Sequence, residues 1–130
     1  MSRSRRPGPT EVTIDLFAGV AVRDFDRAVA WYERLLGAPA TFVAHDTEHV
    51  WTVVEHGSLA VDLDPSRAGH AVVTLFVGGP DELDAFVAAA ADRDVHETSR
   101  ETYGNGVTKV IFHDPDGNEI GVGGGPGETT

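Results

Sequence analysis

The sequence predicts an α+β fold built from two copies of one β-α-β-β-β pattern. The first observation is a run with apolar residues at every second position, followed by an apolar stripe at helical spacing. The second observation is that this succession occurs twice. Because Val22 and Val77 end the corresponding first strands, the repeat period is about 55 residues. We therefore expect module one at about residues 11–64 and module two at about residues 70–123.

Module one begins with a strand, because residues 12–22 are apolar at every second position. Asp24 is a suitable N-cap, and the helical spacing of the apolar residues that follow predicts a helix over residues 25–36. Gly37 stands where a C-cap glycine belongs, and Pro39 prevents continuation. Three further strands are predicted at residues 41–45, 49–55 and 58–63.

Module two repeats this order. A strand is predicted at residues 71–77, and Pro80 marks the first turn of the second helix. Asp81 and Glu82 favour the positive end of that helix dipole. The buried stripe of this helix is predicted to be Leu83, Phe86, Val87 and Ala90. Three further strands are predicted at residues 97–102, 107–112 and 119–122.

The domain organisation follows from these limits. Residues 11–123 are predicted to form a single domain, with flexible tails at residues 1–10 and 124–130 that are rich in Gly and Pro. Each module alone leaves one apolar sheet face without a helix, so two sheets could close around a common cleft. The pattern alone also fits a ferredoxin-like α+β sandwich.

Composition limits the function classes. The net charge of −11 opposes binding to nucleic acids and to anionic membranes, and it would attract cationic ligands. An acidic surface can also have no role other than keeping the protein in solution. No apolar run approaches the ~20 residues that span a bilayer. The chain contains no cysteine, which fits a cytoplasmic protein and excludes disulfides and thiolate metal sites.

Three segments together resemble the vicinal oxygen chelate superfamily, which includes glyoxalase I, extradiol dioxygenases and bleomycin-resistance proteins. They are residues 19–24 (GVAVRD), residues 30–37 (AWYERLLG) and residues 114–118 (DPDGN). The resemblance implies that the two modules form a curved mixed sheet around a ligand-binding cleft. It also implies a small-molecule ligand and a homodimer that binds at the subunit interface.

The resemblance further implies four metal-ligand positions, one on the first and the last strand of each module. They fall on Phe17, near Asp62, near Val72 (or His70 in another register) and on Gly121. At most two of these residues could bind a metal, whereas such sites need about three protein ligands. We therefore predict no metal at the family position and no other cofactor.

A displaced metal site is an alternative. Asp15, His70 and Glu119 each lie two residues before a lost ligand, which keeps the strand face and shifts the position by ~7 Å. Their side chains would suit Zn, Ni, Fe, Mn or Co. Against this, charged residues at strand ends are usually solvated.

Other side chains are candidates for ligand contact. His49 and Trp51 share one strand face, which could line the cleft or could instead pack under a helix. Arg100 and Tyr103 precede a glycine-rich turn that could edge the cleft or could form a plain hairpin. The predicted ligand-binding residues are Phe17, His49, Trp51, Asp62, His70, Arg100, Tyr103 and Glu119.

These observations favour a metal-independent small-molecule binding protein of the glyoxalase/bleomycin-resistance type that sequesters a cationic or aromatic antibiotic. The first alternative is a divalent-metal-dependent lyase, isomerase or dioxygenase that uses the displaced site. The second is a non-catalytic structural or regulatory dimer whose cleft is filled by its own side chains. The sequence identifies no catalytic residue, and a fold shared with enzymes cannot decide among these functions.

Overall fold

A computed structural model of the chain describes residues 13–126. It contains two β-α-β-β-β modules, so the predicted α+β fold class is confirmed. The elements of module one are β1 (Leu16–Val22), α1 (Phe25–Leu36), β2 (Phe42–His45), β3 (Glu48–Val54) and β4 (Gly57–Leu63). Those of module two are β5 (Val72–Phe76), α2 (Pro80–Asp92), β6 (Ser99–Thr102), β7 (Thr108–His113) and β8 (Glu119–Gly124).

The helix limits are set by the capping residues that the sequence predicted. The side chain of Asp24 accepts a hydrogen bond from the Arg27 backbone N–H at 3.3 Å. Gly37 adopts the left-handed conformation, with φ of 75°, and its N–H donates to the Glu33 carbonyl. Pro80 is the first residue of α2. Both helices therefore begin and α1 ends where local chemistry dictates.

The eight strands form two four-stranded sheets with the orders β1-β4-β3-β2 and β5-β8-β7-β6. In each sheet the first strand runs parallel to the last strand of its module, and the other pairs are antiparallel. Phe17 pairs with Ser58 in the first sheet, and Val72 pairs with Glu119 in the second. The equivalent topologies make the two registers directly comparable.

One hydrophobic core runs through both modules. It lies on the sheet faces covered by α1 and α2, and its largest fully buried side chains include Tyr32 of α1, Leu83 of α2 and Phe112 of β7. The opposite faces, which carry Phe17 and Val72 among others, are called here the helix-free faces. The modules are thus joined by a common core, as expected for one domain.

The DPDGN turn fastens the two modules together at one end. The Asn118 side chain donates to the Ala21 carbonyl at 2.9 Å and accepts from the Ala71 N–H at 2.9 Å. Its amide also donates to the Asp114 carboxylate, to which the Tyr32 hydroxyl donates at 2.7 Å. All polar atoms of this buried network are satisfied, so the turn acts as a clamp between β1 and the start of β5.

The C-terminal limit of the domain differs from the prediction. Gly124 belongs to β8 and is buried. The Gly79 carbonyl and the Leu83 side chain approach it too closely for a Cβ atom, so the position requires glycine. The tail predicted from residue 124 therefore begins too early. The predictions for residues 1–12 and 127–130 lie outside the described residues. Neither described helix is both long and apolar enough to cross a membrane.

Candidate functional site

A cavity of about 530 Å³ lies between the two modules. Its walls come from β1, β3 and β4 of module one, from the segment that follows α1, and from β5 and α2 of module two. The larger lining side chains are Leu16, Leu36, Pro39, Trp51, Val53, Val54, Leu59, Val73, Leu75, Phe76, Val77 and Phe86. Because both modules contribute, the cavity depends on how the clamp holds them.

The lining is apolar and uncharged. Its polar side chains are hydroxyls only, and none of the lining residues in the described part of the chain carries an acid or a base. They are Thr41, Thr52, Ser58 and Thr74. A site of this composition suits burial of an apolar ligand, with a few hydroxyls to fix its orientation. It offers no group for general acid–base catalysis.

Trp51 is fixed in the cavity wall from the helix-covered side of β3. It is buried, its ring packs against Tyr32 at 6.0 Å, and its Nε1–H donates to the Ala38 carbonyl at 2.9 Å. His49 lies on the same strand face and contacts Phe25 edge-on at 5.0 Å. This face therefore packs under α1, which is the second of the two interpretations of the shared His49 and Trp51 face. Of the two residues, only Trp51 lines the cavity.

Arg100 and Tyr103 lie away from the cavity and have local partners. Arg100 forms two hydrogen bonds with Glu97, at 2.7 and 2.9 Å. That pairing raises the pKa of Arg100 and lowers the pKa of Glu97. The Tyr103 hydroxyl donates to Glu101 at 2.8 Å, which raises the pKa of Tyr103. Their predicted roles in ligand binding stay predictions without support from the cavity.

The other predicted contacts also lie outside the cavity. Phe17 is exposed on the helix-free face of module one. His70 is exposed just before β5, and Glu119 begins β8. Asp62, at the end of β4, borders a second, smaller cavity together with Arg67. Of the eight predicted ligand-binding residues, only Trp51 lines the main cavity. The apolar residues that follow α1 were missed, because no motif distinguishes them from ordinary core residues.

Comparison with known proteins now adds to this geometry. Residues 13–122 match the family model described as Glyoxalase/Bleomycin resistance protein/Dioxygenase superfamily. The chain belongs to this superfamily. This match confirms the resemblance predicted from the three sequence segments. No curated protein matches the chain.

Solved structures of the superfamily show the same fold. A glyoxalase/bleomycin resistance protein from Catenulispora acidiphila DSM 44928 is 49% identical, with a TM-score of 0.82 over 88% of this chain and 100% of that chain. A lactoylglutathione lyase from Agrobacterium tumefaciens is 17% identical, with a TM-score of 0.70 over 91% of this chain and 96% of the other. At that identity the second likeness concerns the fold alone.

Three of the four metal positions that the resemblance implies carry no metal-binding side chain. Val72 pairs with Glu119, and Gly121 lies two residues further along β8. Phe17 pairs with Ser58, four residues before Asp62 on β4. Phe17, Val72 and Gly121 offer no ligand atom, so among these positions only Asp62 could contact an ion.

A lysine further disfavours a metal there. A Cβ atom on Gly121 would lie 2.6 Å from Cε of Lys109, so the Lys109 side chain crosses the space that a ligand side chain would need. The ammonium group of Lys109 would repel a second cation nearby. The residues at the superfamily positions therefore do not fit a metal, and we derive no reaction step through one.

The displaced set of Asp15, His70 and Glu119 is not brought together. Asp15 precedes β1 and forms an ion pair with His56 at 2.9 Å. His70 lies just before β5, and Glu119 begins β8 and pairs with Val72 of β5. They lie beside the opposite end of β1, where Asn118 contacts Ala21. Those two ends of β1 are ~20 Å apart for a strand of this length. The alternative metal site is therefore not formed by these residues.

Proposed function

We propose that the protein binds an apolar, aromatic small molecule in the cavity between its modules, without a metal at the superfamily position. The observation that carries the proposal is the uncharged, mainly apolar lining contributed by both modules. Ligand cavities are typically about 300–1,000 Å³, and this one, at about 530 Å³, falls within that range.

Burial and ring stacking provide the binding free energy in this proposal. Each Å² of apolar ligand surface removed from water contributes roughly 25 cal/mol. Trp51 and Phe86 offer aromatic faces, and the hydrogen bond to Ala38 holds the Trp51 ring in place before a ligand arrives. The hydroxyls of Thr52 and Ser58 can accept or donate one hydrogen bond to a ligand.

A more specific form of the proposal is sequestration of an antibiotic. The relative from Catenulispora acidiphila is named a glyoxalase/bleomycin resistance protein, which supports testing glycopeptides of the bleomycin type. The net charge of −11 would draw a cationic drug toward the surface, while the cavity would hold its aromatic part. If such a glycopeptide fails to raise the melting temperature while neutral aromatic compounds succeed, the antibiotic form is excluded.

We also propose that the chain forms a homodimer through the helix-free faces. Large apolar side chains exposed there include Phe17 (52%) and Phe42 (45%) on the first sheet, and Val72 (67%) and Phe76 (60%) on the second. Phe76 also lines the main cavity. Monomeric proteins rarely expose large contiguous apolar patches. Sedimentation velocity should show a dimer that Phe17→Ser weakens. A monomer at all concentrations would exclude this part of the proposal.

The proposal is tested with a neutral fluorescent probe, N-phenyl-1-naphthylamine, whose emission rises in apolar surroundings. The expected result is saturable binding of one probe per chain. Ala38 lines the cavity and is exposed, so Ala38→Trp should block the entrance and weaken binding at least tenfold. Ala88→Trp, on the exposed surface of α2, is the matched control and should leave binding unchanged. Equal binding by both variants would contradict the proposal.

A further inference from the structure

Three metal-binding side chains converge at one corner of the first sheet. They are His45 at the end of β2, Glu48 at the start of β3 and Asp62 near the end of β4. One ligand atom from each lies within 4.8 Å of the other two. His45 Nε2 is 3.8 Å from Glu48 Oε1. Small rotations of the side chains would therefore bring all three atoms to ~2 Å from one ion.

A cation between the two carboxylates would relieve their mutual repulsion. Glu48 and Asp62 are directly opposite one another in the β3–β4 register. Like charges in that relation destabilise a sheet. In the part of the chain that the structure describes, neither carboxylate forms an ion pair with a lysine or arginine. Arg67 borders the same small cavity as Asp62 but pairs with Asp64 at 3.0 Å.

The ring of His45 has a partner that can direct Nε2 toward an ion. Nδ1 lies 2.9 Å from the Thr47 hydroxyl, so a proton on Nδ1 can be donated to that oxygen and leave Nε2 free to bind. Nδ1 can instead accept from the Thr47 backbone N–H at 3.2 Å, which suits the other tautomer. The neighbouring turn thus supports the ring in both states.

We propose that His45, Glu48 and Asp62 bind a divalent first-row transition ion such as Zn²⁺ or Mn²⁺. One imidazole nitrogen and two carboxylate oxygens suit these ions, whereas Ca²⁺ takes six to eight oxygen ligands. Water would complete the coordination. Asp62 falls near one of the four positions that the resemblance implies, but His45 on β2 and Glu48 on β3 do not, so the set of ligands is a different one. None of the three residues lines the main cavity, and the proposal is independent of ligand binding there.

Isothermal titration of the untagged chain with Zn²⁺, and separately with Mn²⁺, tests the site. We expect one saturable site per chain and no competition from a tenfold excess of Ca²⁺. Asp62→Asn and Glu48→Gln should each weaken the affinity at least tenfold. His56→Gln is the matched control, because His56 also has two acidic neighbours, but on opposite ring nitrogens: Asp15 at 2.9 Å and Glu55 at 3.5 Å.

A measurement without metal separates lost binding from lost folding. Asp62→Asn removes the like-charge pair, so the melting temperature of the metal-free variant should equal or exceed that of the wild type. Zn²⁺ should raise the melting temperature of the wild type and of His56→Gln, but not that of Asp62→Asn. The proposal is overturned if the wild type binds no ion. It is also overturned if Asp62→Asn with Glu48→Gln still binds, or if His56→Gln loses binding equally.

Discussion

Replacing Asn118 by Ala should lower the free energy of unfolding, because it removes a buried side chain that links the two modules. The side chain is fully buried and makes three hydrogen bonds, to Ala21 and Ala71 at 2.9 Å and to Asp114 at 2.8 Å. The bond to Ala21 joins module two to module one, and the Asp114 carboxylate that Asn118 contacts also accepts from Tyr32 of module one. The variant keeps the backbone bond from residue 118 to Asp114, so the turn itself can persist.

The expected loss follows from the partners left behind. Each net hydrogen bond contributes about 1 kcal/mol, and a buried partner without a replacement costs about 1–3 kcal/mol. Asn118→Ala should therefore lower the free energy of unfolding by about 3–5 kcal/mol. Proteins of this size are typically stable by about 5–15 kcal/mol, so the loss would be a large part of the total.

Urea unfolding followed by circular dichroism measures this loss. Asn105→Ala is the matched control, because Asn105 caps an exposed turn with a single hydrogen bond to Val107, and it should cost less than about 1 kcal/mol. A loss below about 1 kcal/mol for Asn118→Ala would refute the clamp. So would equal losses for the two variants.

Three further predictions concern single side chains. Burial and the nearby Asp114 carboxylate raise the pKa of Tyr32, so its stabilising contribution is complete below about pH 10, the pKa of an unfolded tyrosine, and declines above it. The free energy of unfolding should fall by up to about 1.4 kcal/mol per pH unit above pH 10, and Tyr32→Phe should reduce that slope in urea titrations. Gly121→Glu should pair with Lys109 and should not raise the metal content above that of the wild type in elemental analysis, because Phe17 and Val72 at two of the other positions offer no ligand atom. Arg100→Ala should change stability by less than about 1 kcal/mol in urea unfolding, as exposed ion pairs do.

The helices and strands could be predicted because their limits depend on residues that are close together in the sequence. Asp24, Gly37 and Pro80 set the limits of the helices through their own backbone and side-chain chemistry. The alternation of apolar residues then placed the strands to within a few residues. Gly124 was assigned to a tail because its burial depends on the Gly79 carbonyl, a contact that no local pattern reveals.

The site could not be predicted in the same way, because it depends on register and on packing between distant segments. His45, Glu48 and Asp62 come from three strands, and only the pairing of β2, β3 and β4 brings them together. The alternation placed His49 and Trp51 on one face correctly but could not say which face the helix covers. The approach of Lys109 to Gly121 also joins two strands whose register the sequence does not state.

The most direct test of the account is a two-dimensional NMR titration with N-phenyl-1-naphthylamine. The chain has two tryptophans, and only Trp51 lines the cavity, so the two indole N–H signals provide the readout and its internal control. We expect the Trp51 signal to shift and saturate at one probe per chain, while the Trp31 signal stays in place. Equal shifts of both indoles, or shifts confined to the helix-free face around Phe17 and Val72, would contradict binding between the modules.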